Sequence, residues 1–419
     1  MMETTRPAAA APDEAQSRAW VVLLAVALTY VSLGAILGFV QGGIAPVLRA
    51  QGLELSAMRW VYALYLPFGI AFLWAPWIDA RRWPWLGRRT GWIIPMQGIA
   101  VLAIAAAAFH SPGPGAWGIL LALGLVATLA AATMDLAMDA LTVDLIPDGR
   151  RAAAAAAKVG GISLGSVLGG GVLVALYPRL GWRETLWIIA AITALSGIPV
   201  LALISRDRMA RSAPPAQGAT LMQTLRKPGM RTRFIRLTLL VCTLLALFNF
   251  NRLLLVDMGV SLERIGSVLG TTAPLVNALA CVMAPWLLRL LPVRRAAWLI
   301  TGLCLVSVTT VWLGFELSNT ATALAGSVLT TASAAALYVV LGGLILEWAS
   351  GQQAATDYAL LYGVGRLIGT AALMILPGVV QVIGWSAFQG AVAIAFAASA
   401  WYFLRLFPKG PQMRPLDYD

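Results

Sequence analysis

Charged residues are scarce in this sequence, and their scarcity excludes an ordinary soluble fold. Asp, Glu, Lys and Arg make up 11% of the 419 residues, against about 25% in soluble domains. Hydrophobic residues make up 60%. The mean hydropathy of +0.81 implies more apolar surface than a packed soluble core can hide. We therefore expect most of the chain to lie in lipid.

Histidine and cysteine are also rare, which leaves little for metal or redox chemistry. The one histidine, His110, lies in a short Pro/Gly turn. The three cysteines, Cys242, Cys281 and Cys304, each fall within an apolar stretch, where cysteine behaves as a small core residue. We predict no disulfide framework, no metal site and no cofactor. The polar N-terminus lacks the pattern of a cleavable signal.

Long apolar stretches are abundant, and each has about the length of a spanning helix, ~20 residues. We predict an all-α membrane protein with twelve transmembrane helices in two six-helix bundles. The predicted spans are 20–41, 60–78, 92–109, 116–144, 152–176, 186–204, 237–255, 265–291, 296–315, 321–346, 358–376 and 386–407. The connections are short except for one central basic segment, which separates the two bundles.

The basic residues predict how the chain is oriented. The predicted cytoplasmic segments, together with Arg289 and Arg405 at the adjoining ends of their spans, hold 22 Lys and Arg residues, and the outer loops hold 5, which is the positive-inside pattern. We therefore expect a multi-pass protein of the bacterial inner membrane with both termini in the cytoplasm. The net charge of +12 then reflects orientation and not nucleic-acid binding. The predicted parts are a cytoplasmic N-terminal tail (1–19), an N-terminal bundle (20–204), a basic cytoplasmic linker (205–236), a C-terminal bundle (237–407) and a cytoplasmic C-terminal tail (408–419).

An internal repeat supports the division into six and six helices. The tripeptide Ala-Pro-Trp at 75–77 recurs at 284–286, an offset of 209 residues. Polar residues recur at nearly the same spacing, which is typical of parallel repeats in transporter folds. The polar pairs are Gln41 and Asn249, Asp139 and Glu347, Asp148 and Asp357, and Lys158 and Arg366.

The connection between the second and third spans carries the most informative motif. Asp79 ends one helix, and Gly87-Arg88-Arg89 opens the next. An acid at this position can hold the basic turn or a neighbouring helix end and so stabilise one conformation of the bundle. Charge that only sets the topology is the alternative explanation.

This loop resembles the loop motif of the major facilitator superfamily, lengthened by several residues. The run Phe-Leu-Trp-Ala-Pro-Trp at 72–77 and the later Gly-Trp…Gln97 are more similar to the AmpG-like permease group. A second stretch agrees, and it reads Asp135-x3-Asp139-Ala-x3-Asp144-Leu-Ile-Pro, followed by two arginines. The resemblance extends from about residue 60 to 190. It departs from the family at Ala80, where a basic residue usually follows the acid.

The resemblance implies a secondary transporter that works by alternating access, and not an enzyme. The group includes muropeptide permeases, acetyl-coenzyme A carriers and RhtX/FptX-type siderophore importers. The twelve spans and short tail are most similar to the siderophore importers, so we predict import of a siderophore, as its iron complex, from periplasm to cytoplasm. A permease for muropeptide or another anionic metabolite is the alternative. A polytopic intramembrane enzyme is a remote alternative, because it needs an acid, base or metal site.

Ionisable residues within spans are costly and therefore mark functional candidates. Asp135 is expected ~13 Å deep, and Lys158 in the next span ~9 Å deep. Asp139 is one turn from Asp135 on the same face. If helices 4 and 5 pack together, the three form a charged cluster that gates, binds an anionic group or carries a proton. A static ion pair is the alternative.

A second cation, Arg366, is the repeat counterpart of Lys158, and Glu347 is its expected acid partner. Two cations at a central cavity suit a substrate with a carboxylate or phenolate. The polar run Asn249, Asn251 and Arg252 is expected to line the outer vestibule, with snorkelling of the arginine to the interface as the alternative.

Several further predictions concern single residues. Asn277 and Tyr30 lie mid-span, where a hydrogen bond between helices competes with a substrate contact. Glycines at three- and four-residue spacing in 160–171 predict close helix approach and not a phosphate loop. The predicted gating residues are Asp79, Arg88, Arg89, Asp144 and Glu347. We expect a monomer in the lipid bilayer with a small anionic substrate, and a proton gradient is a candidate driving force.

Overall fold

The computed structural model describes residues 12–81, 83, 86–113, 115–146, 151–209, 225–348 and 359–406. These residues form helices and contain no strand. Helices suit a lipid environment, because a helix satisfies its backbone hydrogen bonds internally. The predicted all-α architecture is confirmed, and we number its spanning segments α1 to α12.

The N-terminal half contains α1 to α6, and several of these helices are built from shorter pieces. Helix α1 comprises Pro12–Phe39, the π-helical segment Val40–Ile44 and Ala45–Ala50. Helix α2 comprises Leu55–Ala57, Met58–Ala63, Leu66–Ile70, Ala71–Leu73 and Ala75–Ala80. Helices α3 and α4 are Thr90–Ala107 and Trp117–Leu145. Helix α5 comprises Arg151–Val167, the π-helical segment Leu168–Val172 and the chain as far as Gly181. Helix α6 is the remainder of Leu173–Gly197, then Ile198–Leu203 and Ile204–Met209.

The C-terminal half contains α7 to α12. Helix α7 comprises Met230–Asn249 and Asn251–Asp257. Helix α8 comprises Leu262–Ser267, the π-helical segment Val268–Thr272 and Ala273–Leu290. Helices α9 and α10 are Val293–Glu316 and Thr320–Trp348. Helix α11 begins with the π-helical segment Ala359–Val364 and continues into Gly365–Leu404, whose part after Gly384 is α12.

Two glycines turn long apolar stretches into pairs of spans. Eight helical stretches in the described residues are long and apolar enough to cross a bilayer. Two of them contain a residue with positive φ, Gly181 at 77° and Gly384 at 76°, a conformation that glycine adopts readily. After Gly181 the chain runs antiparallel to α3, because Trp182 donates a hydrogen bond to the carbonyl of Ala107 and Gln97 donates one to the carbonyl of Thr193. With the interrupted helices α2 and α8, these stretches account for the twelve spans.

The glycines of α5 bring this helix against α1. A Cβ at Gly161 would collide with the Ala27 carbonyl, and one at Gly165 would collide with the Val31 carbonyl. The two helices run parallel, since both residue numbers rise together along the contact. The predicted close approach of helices at this glycine stripe is confirmed.

Basic side chains stack on aromatic rings at both ends of the bundle. We term the end where α1 and α7 finish the outer end, and the opposite one the inner end, following the predicted orientation. At the inner end, Arg405 stacks 3.5 Å from the Trp401 ring and Arg236 stacks 4.3 Å from the Tyr402 ring. Aromatic and basic side chains of this kind mark a membrane–water interface.

Candidate functional site

Four side chains of the N-terminal half form a charged cluster inside the spanning region. Lys158 Nζ lies 2.6 Å from Asp139 Oδ1 and 3.1 Å from Asp135 Oδ1. The Tyr30 hydroxyl donates a 2.6 Å hydrogen bond to Asp139 Oδ1, and its ring centroid lies 5.1 Å from the ammonium. The structure thus brings together four residues that the sequence singled out. Their role in transport stays a prediction.

Helix α1 positions this cluster. The cluster was predicted on the condition that α4 and α5 pack together, but their backbones approach each other little, whereas α1 packs on both. The glycines of α5 fit against α1, and this leaves the long side chain of Lys158 to reach across to α4. Tyr30 of α1 is 1% exposed, so packing holds its ring in position against the cluster.

The cluster can exchange its partners. With every group ionised, two carboxylates face one ammonium, so one carboxylate lacks a cation of its own. The Asp139 side chain is 51% exposed, and those of Asp135 and Lys158 are 29% and 30% exposed. The ammonium is therefore shared by two carboxylates, of which Asp139 is the more exposed.

Arg366 of α11 faces the cluster from the C-terminal half. Its guanidinium carbon lies 5.8 Å from the centroid of the Phe68 ring, and its charge acts on both Asp135 and Tyr65. Among the described residues, no ion pair occupies it. The side chain of its predicted partner, Glu347, lies outside the described residues. Lys158 and Arg366 therefore place one cation on each half.

Arg252 does not line an open vestibule. Its N–H groups donate hydrogen bonds to the backbone carbonyl oxygens of Gly42, Gly170 and Leu269. These carbonyls belong to α1, α5 and α8, so the guanidinium lies at a junction of the two halves. The vestibule prediction and the snorkelling alternative both fail in this conformation, because the outer end is closed around the side chain.

The predicted asparagines have separate environments. The Asn249 amide donates a 2.8 Å hydrogen bond to a carbonyl of its own helix. Asn251 is 2% exposed, and neither polar atom of its amide has a described hydrogen-bond partner. The Asn277 Oδ1 atom is likewise buried without a described partner. Buried amides without partners are uncommon, so Asn251 and Asn277 hold hydrogen-bonding capacity that the described residues do not use.

An acid from α6 holds the basic turn between α2 and α3. Asp207 Oδ2 accepts hydrogen bonds from the backbone N–H of Arg89 and of Thr90, at 2.8 and 2.7 Å, and from the Thr90 hydroxyl. It caps the N-terminus of α3, where free N–H groups and the helix dipole favour a carboxylate. Arg89 Nε pairs with Asp144 Oδ2 at 3.0 Å. Two of the predicted gating residues are therefore in contact.

Sequence reasoning missed Asp207, because it lies in the segment predicted as the linker 205–236. The available signal was an isolated acid within a basic run. Asp79, which was predicted to hold the turn, has a side chain outside the described residues. Arg88 lies in the turn and is partly buried.

A separate apolar cavity of about 450 Å³ lies between helices of the N-terminal half toward the outer end. Its lining includes Phe39, Leu64 and Trp182, and none of the charged cluster. A charged solute would meet no charged side chain among the lining residues. Among the described residues, no group of His, Cys, Asp or Glu is arranged to hold a metal ion.

Two repeated six-helix halves with ionisable groups between them define a polytopic membrane transporter. The Major Facilitator Superfamily matches residues 19–296, which is more than half of the chain. The chain belongs to this superfamily. It is therefore a transporter and not an enzyme, as the sequence predicted.

The similar curated proteins are permeases and their relatives. An anhydromuropeptide permease of Escherichia coli (strain K12) is 31% identical over 158 residues, 37% of this chain and 32% of that protein. The aligned region thus spans about a third of that relative. A putative transporter, AmpG 4, of Rickettsia conorii is 22% identical over 381 residues, 84% of this chain and 90% of that protein.

Solved structures agree on the fold. The nucleoside transporter NupG has a TM-score of 0.70 at 12% identity, covering 93% of this chain and 100% of that one. A bacterial homologue of the lysosomal transporter Spinster, in an inward-facing and unoccupied conformation, has a TM-score of 0.66 at 16% identity, covering 95% and 97%. At such low identity these likenesses show the fold alone.

Proposed function

We propose that this protein imports anionic cell-wall fragments of the anhydromuropeptide class, driven by a proton gradient. The observation that carries the proposal is the pair of cations on opposite halves, Lys158 shared by two carboxylates and Arg366 without an ion-pair partner among the described residues. A solute with carboxylates can bridge the two cations. The bridge then links the halves that must rock during transport.

The cluster supplies a route for coupling. When a solute carboxylate binds Lys158, Asp135 and Asp139 lose their cation, and repulsion between two neighbouring carboxylates favours protonation of one of them. A proton taken up from the outside therefore accompanies the anion. Both leave on the inside, when Lys158 returns to the two carboxylates.

The substrate class rests on the relatives. An anhydromuropeptide permease and an AmpG-named transporter are similar to this chain, which favours the muropeptide alternative over the siderophore first predicted. The alignment with the anhydromuropeptide permease covers 37% of this chain and 32% of that protein, so the substrate is tested directly.

The test is uptake into proteoliposomes under an inward proton gradient, with radiolabelled anhydromuropeptide and ferric siderophore as parallel solutes. We expect gradient-dependent uptake of the muropeptide, and Arg366→Gln should lower it by at least about tenfold, or about 1.4 kcal/mol. Asp135→Asn should abolish accumulation against a gradient while sparing exchange of solute across the membrane.

The matched control is Arg59→Gln, which removes an exposed cation stacked on Trp60 at the outer end. It should leave uptake unchanged. Uptake of the ferric siderophore and not of the muropeptide would contradict the proposed substrate class. An equal loss of uptake in Arg366→Gln and Arg59→Gln would mean that Arg366 has no specific role in binding the solute. Uphill accumulation by Asp135→Asn would refute the coupling route.

A further inference from the structure

Three spanning helices carry π-helical segments that meet at one place. The segments are Val40–Ile44 in α1, Leu168–Val172 in α5 and Val268–Thr272 in α8. A π turn shifts the hydrogen-bond ladder by one residue and leaves a backbone carbonyl without its usual partner. Such turns are rare and occur often at functional sites.

Arg252 donates a hydrogen bond to one backbone carbonyl of each of these segments. Its Nη1 donates to the Gly42 carbonyl and, at 3.0 Å, to the Gly170 carbonyl, and its Nη2 donates to the Leu269 carbonyl at 3.1 Å. Gly42 and Gly170 belong to the N-terminal half, whereas Leu269 and Arg252 belong to the C-terminal half. The carbonyl trio is therefore complete only when the two halves are in contact.

The chemistry of the side chain suits this task. The planar guanidinium carries five donors in a fixed fork, and hydrogen bonds from a charged donor are stronger than neutral ones. No described ion pair joins an acid to Arg252 in this structure. A cation within the membrane is costly, so it is the three carbonyl dipoles that compensate its charge here.

The surrounding glycines fit the same interpretation. A Cβ at Gly42 would collide with the guanidinium of Arg252. Beside the trio, Gly270 of α8 lies directly against the backbone of Gly171 of α5. The absence of side chains lets the two halves approach until one guanidinium reaches all three carbonyls.

We infer that Arg252 is the latch of the outer end: it binds the assembled carbonyl trio and thereby stabilises the conformation in which the outer end is closed. When the halves separate on the outer side, the guanidinium loses Gly42 and Gly170 and keeps only its own half. Arg252 thus positions the halves and need not touch the solute. The inference holds whatever the substrate is.

The test measures the two conformations directly, without substrate. Spin labels at Ser111 and Leu317, in the outer loops of opposite halves, are placed in a background whose native cysteines are replaced. The distance between them is measured by pulsed electron resonance in nanodiscs. Arg252→Gln and Arg252→Lys should each raise the ratio of long to short distances at least about tenfold, or about 1.4 kcal/mol. Lysine keeps the charge but cannot reach three carbonyls in one plane.

Arg179→Gln is the matched control, because it removes another arginine that joins the halves at this end. Arg179 lies 3.9 Å from Glu263, and the two side chains are 77% and 64% exposed. Exposed pairs are worth about 0–1 kcal/mol, so its effect should be smaller. A shift as large as that of Arg252→Gln would overturn the inference.

A second pair of variants keeps the test decisive if Arg252 variants insert poorly. Gly42→Ala retains Arg252 in the sequence, but the added methyl group displaces its guanidinium from the carbonyls. This variant should therefore also favour long distances. Gly98→Ala, where a Cβ meets nothing within 4 Å, should keep the wild-type distances. Wild-type distances in Gly42→Ala or in Arg252→Lys would refute the latch. Because no solute is added, this result is independent of any failure in the uptake test.

Discussion

The outer and inner regions of the molecule are held by different chemistry. At the outer end, the halves meet through backbone, since Gly171 lies on Gly270 and three carbonyls bind Arg252, with ion pairs of side chains beside these contacts. The cluster toward the inner end is held by contacts between side chains of the N-terminal half, of which Lys158 and Asp139 are an example.

The difference shows how one molecule can combine a fixed contact between the halves at the outer end, which we term the seal, with a charged cluster whose pairing can change. Contacts made by backbone carbonyls and glycines form only in one arrangement of the helices, because backbone atoms have no side-chain rotamers with which to adjust. The ammonium of Lys158 instead lies on a long, flexible side chain and is shared by two carboxylates, so its pairing can rearrange. The outer end therefore suits a two-position seal, and the cluster suits coupling.

The largest effect is expected where the charged region is broken. Lys158→Ala leaves Asp135 and Asp139 without a cation, and removing one partner of such a pair is costly. Uptake into proteoliposomes at matched protein amounts should fall by at least about tenfold, or about 1.4 kcal/mol. Asp139→Ala should also impair uptake, and the double variant should lose less than the two single losses combined, because contacting residues are coupled.

Arg264→Ala is the control for this cycle, because it removes an exposed cation near the outer end. It should leave uptake close to normal. Strictly additive losses for Lys158 and Asp139 would mean that the cluster does not act as a unit.

A smaller effect is expected where the backbone seal is disturbed. Gly270→Ala places a methyl group against Gly171, and overpacking of this kind costs about 1–3 kcal/mol. The spin-label distances across the outer end should lengthen, while the protein stays inserted. Gly378→Ala, where a Cβ meets nothing within 4 Å, should leave them unchanged. If both variants behave alike, the glycine contact does not contribute to the seal.

The smallest effect is expected at the cap of α3. Asp207→Ala removes three hydrogen bonds at the helix N-terminus, and loss of a cap costs about 0.5–2 kcal/mol. The thermal unfolding midpoint in detergent should fall, with no change in the distances across the outer end. A shift in those distances would show that the inner anchor communicates with the seal, which would contradict the separation of the two regions.

Much of the architecture was predictable from pattern. Apolar length predicts spans because a bilayer has one thickness, and the glycine spacing in 160–171 predicts a close helix contact because only small residues permit it. The cluster of Asp135, Asp139 and Lys158 was predictable for a similar reason, since charges in lipid must find partners.

The remaining features were not predictable from local pattern. Asp207 looked like part of a basic linker, because its partners are backbone N–H groups that sequence does not distinguish. Arg252 looked like a vestibule or interface residue, because its ligands are carbonyls of three helices far apart in the chain. Hydrophobic pattern also said nothing about α1 lying between α4 and α5.

The sequence by itself determined that the chain is helical, spans the membrane in two related halves and carries charges within its spans. Those properties depend on composition and on periodicity along the chain, because a segment in lipid must be apolar and must satisfy its backbone hydrogen bonds internally. Only the tertiary structure decided which backbone carbonyls converge on Arg252 and which acid caps α3. Every residue except proline carries the same backbone donor and acceptor, so which of these groups form such contacts depends on where the helices cross.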